Sequence, residues 1–250
     1  MTGAGSGIGR ALADRFVAEG ATVVYADRDA AAATEAAAAA NARDGAAGSA
    51  RAVALTVDIA DEDSVAAGFA ALGARGSTVD VVVANAGVQL FGQDAPVADV
   101  PLEAWQRTLA VNLTGTFLTV KHAVRAMLAS GRGGSIIATG SPTALNGEGA
   151  SFAAYSSTKG GIHALVRSTA MAYAADGIRV NTVVPGYTET GLVASIAQDA
   201  AARAAIVSRV PLGRPGSPAD VTGIMVFLAS EESAYATGAE FRVDGGMTTL

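Results

Sequence analysis

The stretch Gly3-Ala-Gly-Ser-Gly-Ile-Gly9 lies two residues from the start of the chain and leads directly into a helix-like segment, residues 8–19. Its glycines allow a sharp turn and a close approach of the backbone to a pyrophosphate, while the following helix N-terminus supplies free N–H groups. A glycine-rich turn is weak evidence by itself. Its position before a helix and then a strand favours a dinucleotide-binding turn over a simple tight turn.

Outward from this turn, short β-branched apolar runs alternate with longer helical stretches along the whole chain. Strands are predicted at 22–26, 52–57, 80–84, 135–139, 178–183 and 240–243. Helices are predicted at 8–19, 28–42, 64–72, 102–130, 154–175 and 219–229. Because several runs are apolar at nearly every residue, they fit parallel strands that are covered on both faces. The pattern predicts an α/β fold with a doubly wound parallel sheet of the Rossmann type, ordered 3-2-1-4-5-6-7.

One feature of this fold is incomplete in the sequence. A phosphate-binding turn normally follows a buried central strand, but only Met1 and Thr2 precede Gly3. We therefore expect the first central strand to be truncated or missing, with the natural start roughly six to ten residues upstream. The alternative is a tolerated gap in the sheet.

No shift in composition marks a second domain, so residues 1–250 are predicted to form one domain. The segment 187–217 carries only weak strand signals, and prolines cluster near its end. Long excursions late in an α/β chain are typical of substrate-binding segments. We predict that 187–217 is a substrate-binding lid.

Composition and charge exclude several classes of protein. Half of the residues are apolar and the net charge is -6, which favours a large core and argues against a nucleic-acid or anionic-membrane surface. There are no cysteines, and the two histidines, His122 and His163, lack the spacing of a metal site, so no metal is predicted. Without an apolar run long enough to span a membrane or a signal peptide, a cytoplasmic protein is expected.

Acidic residues follow the predicted strands 22–26 and 52–57, which are the second and third strands when the truncated first strand is counted. They mark the side of the cleft that would bind adenosine. Asp27 lies at the end of the second strand, close to the spacing at which a carboxylate meets the adenosine ribose. Such a carboxylate accepts hydrogen bonds from both ribose hydroxyls and repels a 2′-phosphate, which favours NAD. The alternative is that Asp27 or Asp29 caps the next helix. Arg28 is able to accommodate a 2′-phosphate, and Asp58 is open to either capping or adenine contact.

The sharpest chemical signal is Tyr155-Ser-Ser-Thr-Lys159 at the start of a predicted helix. Residues four apart share one helical face, so the phenol and the ammonium group can share a site. A nearby Lys⁺, together with a cationic nicotinamide, would lower the pKa of the tyrosine toward the working range of a general base. Ser141 follows a predicted strand and can place a hydroxyl beside the same substrate oxygen. Asn112 lies inside a long predicted helix, where an amide has no obvious structural purpose.

Taken in order, these motifs resemble the short-chain dehydrogenase/reductase family, in its single-domain form of roughly 250 residues, over almost the full chain. The motifs that carry the resemblance are Thr2-Gly-Ala-Gly-Ser-Gly-Ile-Gly9, Asp58-Ile59, Asn85-Ala-Gly87, Asn112, Ser141, Tyr155 with Lys159, Pro185-Gly186 and Val243-Asp-Gly-Gly246. One departure is that Ser141 lies 14 residues before Tyr155, where the family more often has one residue fewer. The loop 142–154 is expected to absorb the extra residue, and Ser151 is a weaker candidate for the same role.

The resemblance implies a role for each catalytic candidate. Tyr155 would be the acid/base, and Ser141 would orient and stabilise the substrate oxygen. Lys159 would bind the hydroxyls of the nicotinamide ribose and lower the pKa of the tyrosine. Asn112 would hold a water molecule that links Lys159 to solvent.

The resemblance also implies the contacts of a nicotinamide dinucleotide. Besides Tyr155 and Lys159, the cofactor-binding residues would be Gly3, Ser6, Gly7, Ile8, Gly9, Asp27, Arg28, Asp58, Ile59, Asn85, Ala86, Gly87, Pro185, Gly186, Thr188 and Thr190. The early residues would wrap the pyrophosphate, and those from Pro185 onward would face the nicotinamide.

The expected activity is an NAD-dependent interconversion of a small secondary alcohol and a ketone. An NADP-dependent carbonyl reductase is the first alternative, supported by Arg28 and opposed by Asp27. The second is a nucleotide-binding sensor or scaffold without turnover, against which the intact catalytic set argues. The family further implies a homotetramer or homodimer. The motifs leave the substrate itself open.

Overall fold

The computed structural model describes residues 1–44 and 51–249. The strands are β1 (Val23–Asp27), β2 (Ala52–Thr56), β3 (Val81–Ala84), β4 (Gly134–Thr139), β5 (Ile178–Pro185) and β6 (Glu240–Val243). The helices are α1 (Gly7–Ala18), α2 (Ala30–Asp44), α3 (Glu62–Ala74), α4 (Leu102–Thr108), α5 (Gly115–Ser130), α6 (Ala153–Tyr173), α7 (Ala194–Gln198), α8 (Ala200–Val207) and α9 (Pro218–Ala229). The paired strands run parallel. The predicted α/β fold is confirmed.

Both faces of the sheet are covered by helices, as the apolar strands require. Successive side chains of a strand point to opposite faces, and β4 shows the result. Ile136 packs into a core cluster with residues of α5 and α6. Its neighbour Ile137 packs into a second cluster with Leu12 of α1 and Met225 of α9. A doubly wound sheet follows from this alternation of buried residues.

The central position of the sheet is held by Met1 and Thr2. Thr2 forms an isolated parallel bridge with Ala26 of β1, and its N–H donates to the carbonyl of Val83 in β3 at 3.1 Å. The sheet is thereby divided into a β1–β2 pair and a β3–β4–β5–β6 part. If Met1 and Thr2 are counted as the first strand, the strand order agrees with the predicted order 3-2-1-4-5-6-7. This first strand is short, as the sequence predicted.

Two predicted helices differ from the observed ones for local reasons. The helix predicted at 102–130 is interrupted by a π-helical segment, Leu109–Thr114, between α4 and α5. The helix predicted at 28–42 begins later, because the Asp29 carboxylate accepts hydrogen bonds from the N–H groups of Ala31 and Ala32. The predicted lid 187–217 contains α7 and α8.

In the described ranges, every helix is too short or too polar to cross a bilayer.

Candidate active site

A cavity of about 380 Å³ lies over the carboxyl ends of the strands on both sides of the division in the sheet. The predicted site residues that line it are Gly3, Ser6, Gly7, Ile8, Asp27, Arg28, Asp58, Ile59, Asn85, Ala86, Gly87, Ser141, Tyr155, Lys159, Pro185, Gly186, Thr188 and Thr190. Gly9 and Asn112 do not line it, but Gly9 packs against Gly3 and Asn112 packs against Gly87. In open α/β sheets, ligands bind at this edge, where the strand order reverses.

The glycine-rich turn has the shape that a pyrophosphate requires. Gly3 and Gly7 have positive φ angles of 67° and 55°, which favour glycine. A Cβ on Gly9 would lie 2.0 Å from the carbonyl oxygen of Gly3, so a side chain there would open the turn. The side chain of Ser6, the N-cap residue of α1, makes no capping hydrogen bond to the described helix. The first N–H groups of α1 therefore suit an anionic ligand, and the turn fits a dinucleotide.

The structure separates the two roles that were left open for Asp27 and Asp29. Asp29 caps α2, whereas Asp27 lines the cavity. The Asp27 carboxylate accepts hydrogen bonds from the N–H groups of Gly5 at 2.9 Å and Asp29 at 3.0 Å. These two bonds use only part of its acceptor capacity. Asp27 is therefore fixed in place and still able to accept hydroxyl hydrogen bonds from a ribose.

Asp58 also lines the cavity instead of capping a helix. Its carboxylate accepts a hydrogen bond from the N–H of Ala60 at 2.9 Å. The N-cap of α3 is Asp61, whose side chain accepts from the N–H of Asp63. The capping role is thus filled by another residue, and the geometry leaves Asp58 free for the adenine side.

Asn85 joins the parts of the sheet beneath the cavity. Its N–H donates to the hydroxyl of Thr2 at 3.1 Å, and its side-chain amide donates to the carbonyl of Thr2 at 3.3 Å. The hydroxyl of Thr139, at the end of β4, donates to the Asn85 amide oxygen. One side chain thus holds β3, β4 and the Met1–Thr2 segment together directly below the glycine-rich turn.

Tyr155 and Lys159 project from the first turns of α6 and are buried, with exposed fractions of 9% and 4%. The ammonium group of Lys159 donates to the carbonyl of Thr139 at 2.8 Å and lies 5.5 Å from the centre of the Tyr155 ring. Burial raises the pKa of Tyr155 to about 12, and its hydrogen bond with Ser141 acts in the opposite direction. Burial lowers the pKa of Lys159 to about 8. In the protein alone the pKa of Tyr155 is therefore raised, and the lowering expected from Lys159 is not seen.

Ser141 is the serine that meets Tyr155, although the spacing differs from the family pattern. The extra length is taken up by two short 3₁₀ turns, Pro142–Ala144 and Gly147–Gly149. The hydroxyl of Thr143 donates to the Ser141 hydroxyl at 3.1 Å, so Ser141 can direct its own hydrogen toward the phenol. Ser151 is exposed and lies outside the cavity lining.

Asn112 lies in the π-helical segment and is fully buried. Its amide oxygen accepts from the N–H of Val88 at 2.7 Å, and its amide nitrogen donates to the Val88 carbonyl at 2.8 Å. The same nitrogen donates to the hydroxyl of Thr158, which lies beside Lys159 in α6. Asn112 therefore ties the loop after β3 to the helix that carries Tyr155. π-Helical insertions are frequent at functional sites for this kind of reason.

Asp94 is a site residue that the sequence analysis missed. Its buried carboxylate accepts hydrogen bonds from the N–H groups of Ala154 at 3.1 Å and Tyr155 at 2.9 Å. The residue at the N-cap of α6, Phe152, supplies no side-chain capping bond to the described helix. The cap comes instead from a residue about 60 positions earlier in the chain. No short-range spacing signals such a contact.

Pro185 and Gly186 line the cavity at the end of β5. Asp244, in the turn after β6, packs closely against Gly186. A Cβ on Gly186 would lie 2.6 Å from the Cα of Asp244, which explains glycine at this point. The Asp244 carboxylate accepts from the N–H of Gly246, so the tight turn is fixed. Thr188 pairs with Gly216 in an isolated bridge, so the two ends of the segment 187–217 lie side by side.

Comparison with protein families gives one match over almost the whole chain. A family model described as enoyl-(acyl carrier protein) reductase matches residues 3–248. Among the described residues, no group of three His, Asp or Glu side chains is arranged to hold a metal ion.

Curated proteins and solved structures give similar matches at full length. Cis-4-hydroxycyclohexanecarboxylate dehydrogenase of Sinomonas cyclohexanicum is 40% identical, covering 100% of this chain and 96% of that protein. L-rhamnose 1-dehydrogenase (NAD(P)(+)) of Azotobacter vinelandii is 42% identical, covering 99% of this chain and 94% of that protein. A gluconate 5-dehydrogenase from Burkholderia cenocepacia, solved with NADP and tartrate, has a TM-score of 0.89 and 34% identity and covers 100% of this chain and 94% of that one.

Proposed function

The chain belongs to the short-chain dehydrogenase/reductase family, and on this premise we propose that it interconverts a secondary alcohol and a ketone with NAD, using Tyr155 as the acid/base. Its relatives are named as dehydrogenases of hydroxylated substrates, one of them for NAD(P)(+), and another was solved with NADP. The observation that carries this proposal is that the buried residues Tyr155, Ser141 and Lys159 line one cavity together with the glycine-rich turn.

In the oxidative direction, the alcohol loses a proton from its oxygen and a hydride from its carbon. Tyr155 takes the proton, and Ser141 holds the substrate oxygen beside the phenol. A nicotinamide nucleotide, when bound, supplies the hydride acceptor. Burial keeps water away from the phenol and strengthens its interactions with neighbouring charges. In reduction, Tyr155 returns the proton to the ketone oxygen.

Lys159 has two roles in this proposal. Its ammonium group binds the ribose hydroxyls and favours the phenolate form of Tyr155 by charge. With its pKa lowered to about 8 by burial, Lys159 can also exchange a proton near neutral pH. We assign to Asn112 the water that links Lys159 to solvent, since its amide holds Val88 and Thr158 beside this lysine.

The proposed preference for NAD depends on Asp27. A fixed carboxylate at the adenosine end repels a 2′-phosphate and accepts from ribose hydroxyls. Use of NADP is the second candidate, because Arg28 lines the same end of the cavity and a relative is named for NAD(P). We further propose that the chain forms one domain, that it assembles as a homotetramer or homodimer, and that residues 187–217 form the lid over the substrate.

The test is a screen of secondary alcohols with NAD and NADP, in which formation of the reduced nucleotide is followed by absorbance. We expect turnover of at least one alcohol, with a higher kcat/KM for NAD than for NADP. Tight binding of NADH without turnover of any alcohol would instead support a nucleotide sensor or scaffold.

A further inference from the structure

Beyond Tyr155 and Ser141, the cavity continues between the loop after β4 and the predicted lid. We call this part the substrate chamber. Its apolar walls are Pro142, Phe152, Leu192, Val193, Ile196, Ile206 and Met247. Such walls fit the carbon skeleton of a compact substrate.

One ion pair interrupts this apolar lining. Glu148, in the turn Gly147–Gly149, and Arg209, which follows α8, both line the cavity and form a salt bridge with each other. The side chain of Glu148 is only 17% exposed, whereas that of Arg209 is 48% exposed. The other charged residues of the lining are Asp27, Arg28, Asp58 and Lys159, which belong to the cofactor side. Glu148 and Arg209 are therefore the charged groups of the described chamber that a substrate can meet.

Besides the ion pair, the chamber has a further polar residue, Tyr187. Tyr187 lines the cavity and is 9% exposed, and among the described residues its hydroxyl has no hydrogen-bond partner. Burial of an unpaired hydroxyl is unfavourable. A ligand that brings a polar group to this place would remove that cost.

The salt bridge between Glu148 and Arg209 determines which polar group of a substrate the chamber can bind. A substrate carboxylate would have to displace Glu148 from Arg209 and would then lie beside a partly buried carboxylate of the same charge. An uncharged hydroxyl can instead donate to Glu148 and accept from Arg209 while their salt bridge persists. The arrangement selects for a neutral group at the far end of the substrate.

We propose that the substrate is a secondary alcohol whose second, uncharged hydroxyl is bound by the Glu148–Arg209 pair, and that Glu148 excludes substrates with a carboxylate at this place. The proposal rests on the proposed function, because Tyr155 and Ser141 define the reacting end of the chamber.

Three compounds that share one ring separate the outcomes: 1,4-cyclohexanediol, 4-hydroxycyclohexanecarboxylate and cyclohexanol. Each presents the same secondary alcohol and differs only in the remote group, which is a hydroxyl, a carboxylate or hydrogen. We expect the kcat/KM of the wild-type protein to be highest for the diol, by about tenfold over each of the other two.

Two substitutions should shift the preference between the carboxylate and the diol in opposite directions. Glu148→Gln frees Arg209 and should raise the carboxylate-to-diol ratio of kcat/KM by about tenfold. Arg209→Gln leaves Glu148 uncompensated and should lower this ratio. The matched control is Glu189→Gln, which breaks an ion pair of the predicted lid with Arg203 but lies outside the cavity lining. A loss of folding would reduce the rates of all three compounds together and leave the ratio unchanged.

The proposal is overturned if wild-type protein prefers the carboxylate to the diol, or if Glu148→Gln keeps the wild-type rate with cyclohexanol and still leaves the ratio where it was. It is also overturned if the alcohol oxidised most efficiently in a wider screen lacks a second hydroxyl, and in that case the proposed function stands. If no alcohol of any kind is oxidised, the proposed function fails, and the substrate proposal fails with it.

Discussion

At the catalytic end of the cavity, Tyr155, Lys159 and Asn112 are buried and held by residues from distant parts of the chain, such as Val88. At the adenosine end, Asp27 is half-buried, Arg28 and Asp58 are exposed, and the carboxylates are held by hydrogen bonds from residues nearby in sequence or in the glycine-rich turn. The proposed chemistry therefore depends on tertiary packing, whereas the proposed choice of cofactor depends on a few accessible charges. Changes at the two ends should therefore have different consequences.

The largest expected effect is the loss of turnover in Tyr155→Phe. Removing the phenolic hydroxyl takes away the proposed proton acceptor but leaves the ring in its packing, so kcat should fall by about 10³-fold. Steady-state kinetics with the best alcohol of the screen measure this, and NADH fluorescence titration should give an unchanged Kd. Ser151→Ala, which removes an exposed hydroxyl in the preceding loop, is the control. Retention of wild-type kcat in Tyr155→Phe would eliminate this residue as the acid/base.

The next effect tests whether tertiary packing places the catalytic helix. Asp94→Asn keeps the size of the side chain but presents an N–H₂ group toward backbone donors of α6. A small displacement of Tyr155 should then lower kcat by about tenfold to a hundredfold without changing the Kd for NADH. Asp99→Asn, an exposed aspartate in the same loop, should behave like wild type. An unchanged kcat in Asp94→Asn would show that the cap has no part in placing the phenol.

At the adenosine end, Asp27→Ala and Asp29→Ala form a matched pair. Asp27→Ala removes the charge that opposes a 2′-phosphate. It should therefore raise the ratio of kcat/KM for NADP to that for NAD by about tenfold. Asp29→Ala removes a helix cap and should lower the free energy of unfolding by about 1 kcal/mol without altering cofactor preference. Equal shifts in both variants would contradict the assignment of the ribose contact to Asp27.

The smallest effect is a pH dependence of stability that comes from Lys159. Its pKa is lowered to about 8 in the folded protein, so between this value and the usual lysine range the unfolded chain binds more protons. Stability from this group should therefore rise with pH, by roughly 1 kcal/mol between pH 8 and 9.5. Urea unfolding at both pH values should show this rise in wild type and a smaller one in Lys159→Met. An identical pH dependence in the two proteins would rule out a buried lysine with a lowered pKa.

The comparison of the two ends also explains what the sequence could predict. The glycine-rich turn, the Tyr155–Lys159 spacing and the strand–helix alternation are local patterns, and the fold and family inferred from them are confirmed. Ser141 could be found because it follows a strand. Asp94 could not be found, because its partners lie about 60 residues away and a single aspartate in a loop has no periodic signal.

The interruption of the helix predicted at 102–130 was missed for a similar reason. Apolar periodicity continues through the π-helical segment Leu109–Thr114, so a pattern with the α-helical period gives no indication of the inserted residue. The choice between Asp27 and Asp29 was also undecided in the sequence, because both precede the same helix. Only the backbone geometry separates the capping carboxylate from the one that lines the cavity. The assigned roles of the site residues stay predictions until the variants are measured.

The most direct test of the central claim is a crystal structure of the protein with NADH bound. We expect the nicotinamide C4 to face the hydroxyls of Tyr155 and Ser141, with room for a substrate oxygen about 3 Å from both, and the Lys159 ammonium group to contact the adjoining ribose. A complex in which the nicotinamide lies away from Tyr155, or in which Lys159 makes no contact with the ribose, would contradict the proposed mechanism.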